Sequence, residues 1–153
     1  HCLRPICAMD FRGKLDWMRF VLWPRKRSAP SGSATQRVGA ESETLACQFL
    51  TRQGLRVLTR NARYRDGELD IVAQDVDTLV FVEVRRRRSA DFGGALASVN
   101  RAKRARLAQA ARRYLYAHTQ GGRLALPPCR FDVIAADDQG LCTWIRGAFE
   151  LEE

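Results

Sequence analysis

Histidine is almost missing from this chain of 153 residues: only His1 and His118 carry an imidazole. That excludes metal sites built on histidine and Ser-His nucleophiles. Cysteine offers no substitute. Cys2, Cys7, Cys47, Cys129 and Cys142 are odd in number and form no CxxC pair. Neither a disulfide framework nor a zinc site is indicated, and a reducing, cytoplasmic setting fits this usage. Long apolar runs are lacking as well, since no stretch reaches the roughly 18–20 apolar residues that span a bilayer. The Trp17–Trp23 run is short, is interrupted by Arg19 and is followed by Pro24-Arg25-Lys26-Arg27. A signal peptide carries its charges before the apolar part, so this order argues against one. An interfacial amphipathic anchor stays open.

Lysine is the next scarcity. Among 26 basic residues only Lys14, Lys26 and Lys103 are lysines. Arginine, the planar forked donor suited to phosphate, supplies the rest. A GC-rich genome accounts for that ratio equally well, but not for the net charge of +9. A chain this basic is drawn to polyanions, nucleic acid first and an anionic membrane surface second.

What is present has the balance of a globular domain: 46% hydrophobic and 28% charged residues. Ser28–Ser33, reading SAPSGS, has linker composition. Residues 1–34, which begin with His rather than Met, are read as a tail that is disordered or non-native, and 35–153 as the domain. Leu45, Ala46, Phe49 and Leu50 predict a helix over Thr35–Gln53, ended by Gly54. Three strands follow, Arg56–Asn61, Leu69–Gln74 and Leu79–Arg86, broken at Gly67 and at Asp75–Thr78. A second helix is expected from about Leu96 to His118, then strands at Phe131–Ala135 and Cys142–Arg146. The order αβββαβ with a trailing strand predicts an α/β fold, a central mixed sheet flanked by helices.

Four ionisable residues stand where this pattern predicts burial. Asp70 interrupts Leu69-Asp70-Ile71-Val72, and Glu83 sits in the most apolar run of the domain, Leu79–Val84. Strand alternation puts Glu83 and Arg85 on one face and Val80, Val82 and Val84 on the other. Glu43 shares the apolar stripe of the first helix, and Lys103 that of the second. Burying a lone carboxylate costs several kcal/mol, and gathered carboxylates repel one another and take up protons. A divalent cation resolves both problems. Mg²⁺ prefers oxygen ligands, is held by one or two carboxylates with waters and phosphate, and can activate water against a phosphodiester. Each acid taken singly also fits an ion pair with one of the arginines, and Lys103 a snorkelling side chain.

GELDIVA at 67–73, LVFVEVR at 79–85, FGGALASVNRAKRARL at 92–107, RFDVI at 130–134 and WIRGAF at 144–149 resemble, in this order, the YraN family of predicted bacterial endonucleases. The resemblance covers about residues 37 to 149, including the helix from Gly39 through Glu43 to Leu50. That family is similar to archaeal Holliday junction resolvases and to the restriction-endonuclease-like superfamily. The resemblance implies a restriction-endonuclease-like core and a nuclease-like domain over 35–153. It implies a metal-dependent DNA endonuclease that hydrolyses phosphodiester bonds in duplex or branched DNA during repair or recombination. Asp70 and Glu83 would bind Mg²⁺ or Mn²⁺, with the Val84 carbonyl as a third ligand and Glu43 binding directly or through water. Arg85 departs from the pattern by standing where the superfamily's triplet has lysine. It stays protonated and cannot be a general base, but it can hold a phosphate oxygen, and Lys103 could supply the mobile ammonium. Resolvase-like relatives also imply a homodimer.

Around these acids the arginines cluster. Arg85, Arg86, Arg87 and Arg88 leave the active strand together, and Arg101, Arg104, Arg106, Arg112 and Arg113 line the second helix. Such residues give salt-sensitive phosphate contacts without sequence readout, or simply a solvated helix face. With no zinc finger, RNA-recognition motif or helix-turn-helix in view, duplex or branched DNA is the expected partner. Two other readings stand beside the enzyme. Arg85 motivates a catalytically weak or inactive nucleic-acid-binding protein of the same fold. The Trp17–Trp23 tail motivates a protein-interaction module.

Overall fold

The computed structural model describes residues 34–86, 99–121, 123 and 125–150, with backbone alone for 34–38. The expected tail 1–34 and the Arg87–Arg88 end of the arginine run therefore fall almost wholly outside the described residues. The order is α1 (Ala34–Arg52), β1 (Arg56–Tyr64), β2 (Gly67–Asp75), β3 (Thr78–Arg86), α2 (Arg101–His118), β4 (Cys129–Ala136) and β5 (Cys142–Phe149). The expected α/β class holds, and its elements form one five-stranded mixed sheet in the order β1-β2-β3-β4-β5. Only β3 and β4 run parallel, joined through α2; the other neighbours are antiparallel.

Each helix covers one face of the sheet. Ala46 and Leu50 of α1 pack on Ile71, Ala73, Val80, Val82 and Ile134. Leu107, Ala110, Ala111 and Tyr114 of α2 pack on Leu69, Val72, Phe81, Phe131 and Val133. The alternation of β3 between the two clusters is the pleat of a strand buried on both faces. The first helix stops where the sequence indicates. Gly54 takes φ +88, Leu55 N–H donates to Leu50 O at 3.0 Å, and both leucines enter the core. That is the glycine C-cap with its accompanying apolar contact. Among the described residues no helix is long and apolar enough to cross a membrane. Cys47, Cys129 and Cys142 are free thiols.

Three boundaries differ from expectation by three residues or more. The second helix begins at Arg101, not near Leu96; Val99 is fully buried and Asn100 caps the helix, its side chain accepting from Lys103 N–H at 2.9 Å. Residues 96–98 lie outside the described set. β1 does not stop at Asn61: the chain turns there with φ +52 and pairs on to Tyr64↔Gly67. β5 runs three residues past Arg146, because Phe149 is needed in the core, stacked on Phe131 at 4.8 Å.

Gly67 sets how closely β2 and α2 meet. A Cβ there would lie 2.6 Å from the backbone carbonyl oxygen of Arg106. Only glycine admits that approach, which draws the first turns of α2 over the start of β2.

Candidate active site

The β2–β3 ladder ends at Ile71↔Val82, although both strands continue. Beyond that point β2 stays paired with β1, and β3 with β4. The sheet therefore forks beside Asp70 and Glu83. At the fork a side chain replaces the ladder: Val84 N–H donates to Asp70 Oδ2 at 2.8 Å. An aspartate is a poor strand former because it competes for backbone partners, and here that competition is used.

Glu83 is only 3% exposed. Its Oε1 meets Lys103 Nζ at 3.0 Å and Arg85 Nε at 3.4 Å. Its Oε2 is buried and has no hydrogen-bond donor among the described residues. Burial pushes the Glu83 carboxyl up to about 7; the Asp70 charge adds to the rise and Lys103 opposes it. Burial also raises Asp70, with the Val84 N–H and the Lys103 charge pulling the other way. With both carboxyls ionised the pair repels, whereas one proton held between them lets one carboxyl donate to the other.

The two cations come from different elements. Arg85 follows Glu83 on the same face of β3, as alternation predicts. Lys103 reaches in from the first turn of α2, which Asn100 caps. Both side chains are part-exposed, although the Arg85 Nε is itself buried.

Glu43 stands apart. Its Oε2 accepts from Asn61 Nδ2 at 2.7 Å and lies 3.8 Å from Arg60 Nη2. Burial raises its carboxyl; the Asn61 donation opposes this and the Asp70 charge reinforces it, so Glu43 belongs to the same electrostatic neighbourhood. Among the described residues no three His, Cys, Asp or Glu side chains are gathered closely enough to hold a metal by themselves. Asp70 and Glu83 are a pair, and the expected third acid is not in contact with them. A pair still suits Mg²⁺ or Mn²⁺, ions that keep waters and complete their shell with phosphate. The unpartnered Glu83 Oε2 is the oxygen such an ion would take.

The arginines divide. Arg101 and Arg106 are exposed on α2. Arg104 turns inward: its Nε donates to the Val99 carbonyl at 2.9 Å and its guanidinium lies 5.4 Å from the centre of the Phe149 ring. It holds the start of α2 in place. Arg86 is bound to Asp138 at 2.6 Å, and Arg113 to Asp66. Arg87 and Arg88 lie outside the described residues.

Sequence reasoning missed three residues that shape the site. Asn61 had a signal, since asparagine tolerates the left-handed backbone that the β1 kink requires. Asn100 had one too, as an asparagine three residues before the N–H it caps. Glu68 shows only in three dimensions. It accepts from Arg63 Nε at 3.2 Å, and its charge pushes Asp70 and Glu43 up.

Comparison with known proteins finds relatives over about three quarters of the chain. A relative from Stutzerimonas stutzeri is 50% identical over 121 residues, 77% of this chain and 98% of that one. One from Xanthomonas campestris pv. campestris is 49% identical over 122 residues, covering 79% and 98%. One from Coxiella burnetii is 40% identical over 120 residues, covering 78% and 98%. Each is named only as a UPF0102 protein. The family model matches residues 42–136, from the helix of Glu43 to the end of β4, and YraN is another name for that family. The chain belongs to the family described as "Uncharacterised protein family UPF0102".

Proposed function

We propose that the protein is a divalent-metal-dependent endonuclease that hydrolyses phosphodiester bonds in duplex or branched DNA. One observation carries this reading: the buried Glu83 carboxylate beside Asp70, with an oxygen that lacks a donor. A carboxylate left so in a core is costly. Mg²⁺ or Mn²⁺, when bound, supplies an activated water and neutralises charge developing on the phosphate. Asp70 and Glu83 hold it, with Glu43 acting through its charge or through water. Lys103 and Arg85 bind a phosphate oxygen and offset charge in the transition state. Arg101 and Arg106 extend the positive surface along α2, giving affinity without base readout.

The test is cleavage of linear and branched DNA with Mg²⁺ or Mn²⁺, wild type against Glu83→Ala. Metal-dependent cutting that the variant loses is the expected result. Salt-sensitive binding with no cutting under either metal would support the second reading, a nucleic-acid-binding protein without catalysis. The observation favouring that reading is that Lys103 and Arg85 both lie on Glu83 Oε1. With two cations already on this carboxylate, a metal has less to gain from it.

A further inference from the structure

The kink in β1 has no explanation in sheet pairing. Asn61 takes φ +52 in the middle of a strand whose neighbours Arg60 and Ala62 both pair normally, with Ile71 and Leu69. Those pairings bracket Asp70, so the kink lies directly across from that acid. The left-handed region costs an ordinary residue about 1 kcal/mol or more, and asparagine is among the few that tolerate it. The turn of the backbone brings the Asn61 amide to Glu43 Oε2, Nδ2 donating at 2.7 Å. The next contact across the same seam is parallel to it: Arg60 Nη2 donates to Thr44 Oγ1 at 3.1 Å. Together they tie the middle of α1 to β1 through Glu43 and Thr44, beside the fork.

We propose that Asn61 is a positioning residue: its left-handed kink aims an amide donor that holds the Glu43 carboxylate where it feels the Asp70 charge. Without it Glu43 is a helix residue free to turn toward solvent or toward Arg60. With it Oε2 is held by a neutral donor at 2.7 Å, while the Arg60 guanidinium stays at 3.8 Å. Placement through a water shell suits an acid that does not cluster with the other two among the described residues, because Mg²⁺ and Mn²⁺ sites retain several waters. This inference rests on the metal-site reading for its functional meaning, but the contact itself does not.

The experiment uses the full chain and two variants, Asn61→Gly and Glu43→Ala, with their double mutant. Glycine accepts the left-handed backbone without strain, so Asn61→Gly removes the donor and leaves the kink. Mn²⁺ titration is expected to show Asn61→Gly binding about fivefold more weakly, the net weight of one ordinary hydrogen bond. In the Glu43→Ala background the same substitution should change nothing. Equal weakening in both backgrounds, or none in either, would overturn the inference. Nuclear magnetic resonance of the metal-free protein supplies an independent arm. The Asn61 side-chain amide protons should move when Glu43 becomes alanine; if they stay in place, the proposed contact is wrong. If wild type binds no Mn²⁺, the metal reading falls and the amide arm alone decides whether Asn61 holds Glu43.

Discussion

Two carboxylates are sunk in neighbouring strands of one sheet and are treated in opposite ways. Asp132 on β4 pairs in register with Val82, and Glu83 on β3 with Val133, one step along the same ladder. Asp132 is fully buried, and both of its oxygens accept hydrogen bonds. Oδ1 accepts from Gly147 N–H at 2.9 Å and Arg130 Nε at 3.1 Å, and Oδ2 from Trp144 Nε1 at 3.0 Å. Arg130 is itself held by Asp75 at 2.8 Å. Glu83 has two cations on one oxygen and none on the other, with a second acid beside it. A closed network is what an acid needs to belong to a core. An open one, held in place by the fold around it, is how binding sites differ from cores. Family membership alone would not separate the two acids, since both lie inside residues 42–136.

The sharpest way to break this comparison is to remove each charge in turn. Asp132→Ala strands the Trp144 indole N–H and the Gly147 N–H, leaves Arg130 with Asp75 alone, and should destabilise the fold by about 2–5 kcal/mol in chemical denaturation. Glu83→Gln removes a charge that burial and Asp70 both oppose. In metal-free protein it should leave stability unchanged or raise it by about 1 kcal/mol, because Lys103 can extend to water. Equal losses at the two positions would mean that Glu83 is as structural as Asp132.

Acidity separates them next. Glu83 is raised in the folded state, from the ordinary 4.5 to about 7. Between those values the folded chain binds more protons than the unfolded one, so stability from this group is full below 4.5 and is lost as pH rises through 7. The stability difference between wild type and Glu83→Gln should therefore fall across that window in metal-free buffer. Saturating Mg²⁺ should flatten it, since a bound cation stabilises the ionised pair. A difference that does not change with pH would contradict the assignment.

The mixed sheet and both helices were legible in the hydrophobic pattern. β3 is an apolar run of strand length, and α1 places Ala46 and Leu50 four apart. Asp70 and Glu83 were legible for the opposite reason, as charges that break an apolar pattern. What was not legible is pairing. Glu43 is met by the Asn61 amide at the kink, and Arg104 by the Val99 carbonyl and the Phe149 ring, contacts that no local pattern announces. Asp132 shows the limit most clearly. Its strand carries the same signal as that of Glu83, an acid within an apolar run, and only the donors from β5 distinguish it.

Two glycines give a smaller contrast between site and periphery. At Gly67 an added Cβ meets the Arg106 carbonyl oxygen, whereas at Gly39 in α1 it meets nothing within 4 Å. Gly67→Ala should cost about 1–3 kcal/mol as α2 is pushed off β2, and should weaken metal binding by moving Lys103. Gly39→Ala should stabilise by about 1 kcal/mol, the ordinary gain of alanine within a helix. Melting curves of the two variants moving in the same direction would show that the β2–α2 contact is softer than it looks.

The smallest effect expected bears most directly on how the site is assembled. Asn100 accepts from Lys103 N–H at 2.9 Å, and the Lys103 ammonium meets Glu83 at 3.0 Å. One residue thus both starts α2 and fixes the root of the lysine that reaches the buried acid. Asn100→Ala should cost about 1 kcal/mol of stability, as lost N-caps do, while Asn100→Ser or Asn100→Asp should restore most of it. If the cap serves only the helix, nucleic-acid cleavage and metal affinity will follow stability back in the serine variant and remain normal in the alanine variant well below its melting temperature. If the cap also aims Lys103, the alanine variant will lose activity at temperatures where it is fully folded. That deficit, added to a Lys103→Met change, should disappear, because Asn100 then has no ammonium left to place.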